Sequence, residues 1–164
     1  MERRFAYRWI WLVIAAATVA FIWQQSTLVP AESAEASDAV GGVLVALFGG
    51  SSSPLGSFIG RYVRKIAHFV EFFLLGLEGE CYLWGRHTLR STALQLLLGL
   101  AVAASDELLQ RFTGRGAAFS DVLLDVCGYL SGAVLLFLSC SLVSLLNKKR
   151  KVGAGDPGAA QSDA

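Results

Sequence analysis

Four stretches of this chain are apolar over the length of a bilayer crossing, and ionisable residues gather near one end of three of them. The first is built on Trp9–Trp23 (WIWLVIAAATVAFIW) and reaches spanning length, about 7–26, with its flanks. The second covers 66–84 and is interrupted by His68, Glu71, Glu78 and Glu80. The third and fourth cover about 89–109 and 119–146. A helix needs about 20 apolar residues to cross the hydrocarbon core. In lipid the backbone must satisfy its own hydrogen bonds, so runs of this kind predict helices rather than open sheet. The pattern therefore predicts an all-α fold, a membrane helical bundle of about four transmembrane helices formed by residues 1–151.

Between the first two spans, Ala39–Phe48 is apolar over about half a crossing, and glycines and serines bracket it. That length predicts a short interfacial or re-entrant segment before the second span. Ser53-Pro54 follows with the signature of a helix start, serine at the N-cap and proline in the first turn. A helix opening there can continue through the second span. The tail, 152–164 (VGAGDPGAAQSDA), is small, polar and aperiodic, which predicts disorder.

Composition agrees with the pattern. Hydrophobic residues make up 54% and charged residues only 16%, against about 25% charged in a soluble domain. The one dense basic run, Lys148–Lys151, directly follows an apolar span and reads as a stop anchor, so no nucleic-acid partner is expected. Cys81, Cys127 and Cys140 form no CxxC pair and read as packing residues. The first span has the basic flank of a signal peptide. Its terminal tryptophans, and the distance to the small-residue site at Ala34-Glu35-Ala36, favour a retained helix instead. With four spans the two termini share a side, and that side collects nine of the fourteen Lys and Arg residues. The positive-inside rule then makes both termini cytoplasmic.

The candidate chemistry lies in the polar residues of the spans. At 100° per residue, Arg64, His68, Glu71, Leu75 and Glu78 share one helical arc. Gly99, Asp106 and Gln110 share another, with Glu107 beside it; Asp121, Asp125, Gly128 and Gly132 share a third. All but Glu78 lie toward the outer leaflet. Glu78 sits deeper and is expected to reach toward Arg86 or Arg90, or to mark a shorter span. An ionisable side chain in a span costs roughly 3 kcal/mol or more at the bilayer centre and marks a functional site by default. The bland alternative is pairing of Arg64 or Arg115 with Glu71, Asp106 or Asp121. Such contacts contribute below about 1 kcal/mol on average and would be poor glue.

Three chemistries fit the cluster. His68 and Glu71, with Asp106 or Glu107 opposite, offer mixed nitrogen and oxygen ligands to a divalent metal. His68, oriented by a carboxylate, is a candidate general base, with Glu71, Asp106 and Glu107 the other catalytic candidates. The arginines and lysine are suited to hold a phosphate or carboxylate headgroup while the acids, Asp121 and Asp125 among them, position it; Gln110 is a further ligand-binding candidate. No nucleophile motif and no phosphate-cradling glycine loop accompanies them.

These residues also carry a resemblance. Arg64-Lys65-x-Ala67-His68-Phe69-x-Glu71-Phe72, then Asp106-Glu107-x-x-Gln110, then Arg115 with Ser120-Asp121 and Gly128 and Gly132, resemble in order and spacing the VanZ-like family of small bacterial membrane proteins. The resemblance covers roughly residues 60–135. It implies a multi-pass protein of the bacterial cytoplasmic membrane and cell envelope. The founding member is associated with low-level resistance to teicoplanin, a lipid-tailed glycopeptide antibiotic. This chain departs from the family pattern in carrying Asp125 where asparagine is common. The expected partner is a membrane lipid or a lipid-linked envelope precursor. Two functions stay open at this point: a protein that binds or screens amphiphiles at the outer leaflet, and a membrane-embedded enzyme acting on a lipid or cell-wall precursor. A small transporter is disfavoured by the lack of internal repeats or a broken helix.

Overall fold

The structure is a computed structural model that describes residues 2–83, 87–114 and 118–153. It contains five helices: α1 (Glu2–Thr27), α2 (Pro30–Leu47), α3 (Pro54–Leu83), α4 (Leu89–Phe112) and α5 (Phe119–Gly153). Three are long and apolar enough to cross a membrane, over Tyr7–Thr27, Leu89–Phe112 and Phe119–Lys148. α3 has the length but carries Glu71, Glu78 and Glu80 within its apolar stretch. The expected tail at 152–164 lies almost wholly outside the described residues.

Local chemistry explains where the helices begin and end. Val29 is extended and Pro30 opens α2, whose first turn has no use for the missing N–H. The apolar segment expected to be short, Ala39–Phe48, is the second half of this longer helix, which begins well upstream at its proline. The chain then reverses through Gly49 and Gly50, at φ 95° and 77°, in the left-handed region where a side chain is strained. Ser53 caps α3 as its sequence predicts, accepting a 2.9 Å hydrogen bond from the Gly56 N–H. α4 opens on a capping box: the Ser91 N–H donates to Thr88 Oγ1 at 3.1 Å, and the Thr88 N–H to Ser91 Oγ at 2.9 Å.

α3 is the central element, with its most extensive packing against α5 and further contacts to the other three helices. The small core draws on Ile22 of α1, Phe72 and Leu75 of α3, Ala103 of α4 and Tyr129 of α5. Glycines bring α3 and α5 together. A methyl added at Gly76 would lie 2.0 Å from the Tyr129 carbonyl oxygen, and one at Gly132 would lie 2.0 Å from that of Phe73. Backbones this close are a packing device of membrane helices, where small residues let dispersion and polar contacts act at short range.

The surface is inverted relative to a water-soluble protein. Val13, Phe21, Leu94, Leu97, Leu98, Val134, Leu138 and Leu142 face outward, while Glu78, Glu80, Gln95, Asp106, Glu107, Gln110 and Asp125 are buried. In water that arrangement leaves apolar area exposed and carboxylates desolvated, each unfavourable. With lipid around the bundle the outward residues are already solvated, and only the polar interior requires partners.

Candidate functional site

The polar interior gathers at two levels, and the richer one draws on the residues around His68, Asp106 and Asp125 that the sequence groups at one end of the spans. It takes Ser26 from the end of α1, His68 from α3, Asp106 and Gln110 from the end of α4, and Asp125 from the start of α5. Asp106 and Asp125 are both essentially inaccessible, at 0% and 1% exposure. His68 stands between them, its Nδ1 3.5 Å from Asp106 Oδ2 and 3.8 Å from Asp125 Oδ1.

The two aspartates are treated differently by their surroundings. Asp106 accepts a hydrogen bond from Ser26 Oγ on one oxygen and a 2.8 Å bond from Gln110 Nε2 on the other. Gln110 lies one turn after Asp106, so the helix itself supplies this donor. Neither oxygen of Asp125 accepts a hydrogen bond among the described residues, although the side chain is enclosed. Glu107 is buried beside them in α4.

Two cavities meet at His68 and Arg64. The smaller, about 10 Å³, is lined by Arg64, Lys65, His68, Gln110, Asp121 and Asp125, with Leu124. That is the space of a single water or ion. The larger, about 120 Å³, lies between α1, α2 and α3; Gln25, Ser33, Arg64, His68 and Glu71 give it polar groups, and Leu28, Val40 and Val63 apolar walls.

Most residues expected at the site are therefore brought together, with changes of role. The ligand atoms that come together are those of His68, Asp106 and Asp125, while Glu71 lines the larger cavity along with His68. The cation that pairs with Asp121 is Lys65, at 2.5 Å, rather than Arg64. Lys65 lies 100° around the helix from Arg64, and that rotation aims it at α5. Arg115 lies outside the described residues. Ser26 was not anticipated, because a serine closing an apolar helix looks like ordinary flank; only the approach of α1 to α4 gives it a role. Trp23 reinforces the same seam, its indole N–H donating to Ser105 Oγ at 3.1 Å.

The second level lies toward the other end of the bundle. Glu78 does not reach toward Arg90: it is buried, and Thr18 Oγ1 of α1 donates to it at 2.9 Å. Arg86, its other expected partner, lies outside the described residues. Glu80 lies 3.4 Å from His87, and the Tyr129 hydroxyl donates to the Gln95 carbonyl at 3.0 Å. Arg8 closes this end, its guanidinium 4.4 Å from the Tyr82 ring centroid and its Nε donating to the Tyr82 carbonyl at 3.3 Å.

Apolar faces turned outward, a bundle interior of carboxylates and one imidazole, and three helices long and apolar enough to cross a membrane define a helical membrane protein. The VanZ/LLP1 family model matches residues 6–141, which is most of the chain. This protein belongs to that family, in agreement with the blocks around His68, Asp106 and Asp121. No curated protein and no solved structure matches it.

Proposed function

We propose that this protein binds the polar head of an amphiphile in the cavity between α1, α2 and α3, at the outer leaflet of the bacterial cytoplasmic membrane. In this reading α3 is the fourth span. From Arg64 to Tyr82 it advances about 27 Å at 1.5 Å per residue, close to the hydrocarbon thickness of about 30 Å. Along that length it runs beside α1, with Arg8 at its far end and Thr18 on Glu78 between. Four spans with nine basic residues on the terminal side make both termini cytoplasmic.

The observation that carries the reading is the lining of the 120 Å³ cavity, which combines apolar residues with polar ones that include Arg64. Ligand pockets for whole drug-sized molecules run to about 300 Å³ and above, so this one suits a headgroup only. Arg64 is suited to a phosphate or carboxylate through paired N–H donors, while Lys65 is already engaged by Asp121. Tolerance of lipid-tailed glycopeptides would follow from occupation or screening of such headgroups, with the body of the antibiotic outside the bundle. The test is native mass spectrometry of the protein released from micelles doped with anionic or zwitterionic phospholipid. Preferential retention of the anionic lipid, lost in Arg64→Gln, is expected; equal retention of both, or no effect of the substitution, would defeat the proposal.

A second reading is supported by the contacts of His68 with two buried aspartates. An imidazole held by carboxylates is the arrangement of a general base, and it fits an enzyme acting on a lipid or cell-wall precursor. A changed lipid or peptidoglycan profile, abolished in His68→Ala, would favour this reading over binding alone.

A further inference from the structure

We infer that His68, Asp106 and Asp125 form a binding site for a divalent first-row transition-metal cation. The inference does not depend on headgroup binding, although His68 also lines the cavity between α1, α2 and α3.

Geometry is the first support. One ligand atom from each of the three residues lies within 4.8 Å of the others. His68 Nδ1 is 3.5 Å from one Asp106 oxygen and 3.8 Å from one Asp125 oxygen. Two ligands bound to zinc at about 2.1 Å with a tetrahedral angle between them are about 3.4 Å apart. The two His68 separations exceed that by at most a few tenths of an ångström, and the two aspartate oxygens, within 4.8 Å of each other, close on a shared ion by side-chain rotation. The three residues come from three helices, α3, α4 and α5, so the position is fixed by the bundle rather than by one flexible segment.

Charge is the second support. Two carboxylates are enclosed within a few ångströms of each other and of one imidazole, in surroundings where an uncompensated charge costs several kcal/mol. Asp106 has donors from Ser26 and Gln110, whereas both Asp125 oxygens accept no hydrogen bond among the described residues. Asp125 is nonetheless buried and turned toward His68. A divalent cation neutralises the pair of carboxylates and supplies Asp125 with a partner.

The third support is space. The 10 Å³ cavity reaches His68, Asp125 and Gln110, and its size admits one ion or water. Arg64 and Lys65 also line it, which opposes a cation at the mouth; Lys65 is neutralised by Asp121 at 2.5 Å. One nitrogen and two oxygens suit zinc, manganese or iron better than calcium or magnesium, which favour all-oxygen sites. Three protein ligands are the number found in catalytic rather than structural zinc sites.

The test uses the full-length protein, purified without a polyhistidine tag in detergent and stripped with a chelator. Zinc uptake is measured by equilibrium dialysis and mass-spectrometric metal counting, and coordination by the visible spectrum of the cobalt-loaded protein. The expected result is one zinc per chain at low micromolar free metal, with a tetrahedral cobalt spectrum. Asp125→Asn, nearly isosteric, and His68→Ala should each weaken binding at least about tenfold, the loss typical of disturbed metal sites. Asp38→Asn, exposed on α2, should leave it unchanged. Stripped wild type that takes up no stoichiometric zinc overturns the inference without recourse to any variant. Uptake that persists in both Asp125→Asn and His68→Ala overturns it as well.

Discussion

Replacing Gly132 by alanine drives a methyl into the backbone of α3. The added carbon would lie 2.0 Å from the Phe73 carbonyl oxygen, 3.0 Å from its carbon and 3.1 Å from the Leu77 nitrogen. Ordinary contact begins near 3.4 Å, so α3 and α5 must move apart by more than an ångström at this point. No flexible side chain can yield, because the obstructing atoms are backbone. Overpacking of this kind costs about 1–3 kcal/mol. Alanine gains up to about 1 kcal/mol over glycine within a helix, which offsets only part of the loss. With the full gain the net destabilisation is up to about 2 kcal/mol, and against a control that carries the same glycine-to-alanine gain the gap is about 1–3 kcal/mol. Gly42→Ala in α2 is the matched control: nothing lies within 4 Å of its added methyl, so it should be neutral or slightly stabilising. Both variants can be followed by SDS titration in mixed micelles, read by tryptophan fluorescence. If Gly132→Ala proves as stable as Gly42→Ala, the close approach of α3 to α5 is wrong, and with it the placement of Asp125 against His68.

Other expectations test the polar seams separately. Ser26→Ala removes an interhelical donor to the buried Asp106 and should cost about 0.6–1.7 kcal/mol in the same titration, the average-to-maximum range for such bonds between membrane helices. Lys65 is 46% exposed at its side chain, so a double-mutant cycle of Lys65→Gln with Asp121→Asn should return a coupling below about 1 kcal/mol that weakens with salt. Thr18→Val takes the donor from a buried Glu78 carboxyl oxygen and should be more damaging than Thr27→Val at an exposed position; chemical denaturation of both variants gives the comparison. For topology, single cysteines at Thr113 and Thr88 in a background lacking Cys81, Cys127 and Cys140 should react differently with an impermeant maleimide. Labelling at 113 from outside intact cells, with protection at 88, is expected, and the reverse pattern would invert the proposed orientation.

Helical periodicity made much of this bundle readable from the chain. Gly99, Asp106 and Gln110 are all buried in α4, and Asp125, Gly128 and Gly132 are all buried in α5, as their shared arcs require. Periodicity gives the direction of a face but not the helix it meets. Glu71 and His68 share an arc and both line the cavity toward α2, yet His68 alone also reaches Asp106 and Asp125 of α4 and α5, because α3 is surrounded on several sides. Lys65, off the polar arc, finds Asp121 for the same reason. Ser26 and Thr18 had no readable signal, since small hydroxyl residues are ordinary constituents of apolar helices. Their roles arise from the docking of α1 on its neighbours. The length of α2 was understated because its first half, Pro30–Asp38, is polar and only its second half carries an apolar run.

The most direct measurement of the central claim, that this end of the bundle is the working site, compares teicoplanin with vancomycin susceptibility in a sensitive Gram-positive host. The host expresses wild type, His68→Ala or Glu107→Gln at matched membrane levels. Protection by wild type against teicoplanin but not vancomycin, lost in both variants, is the predicted result. Protection that survives both substitutions would contradict the claim and leave the buried cluster as scaffolding for that activity.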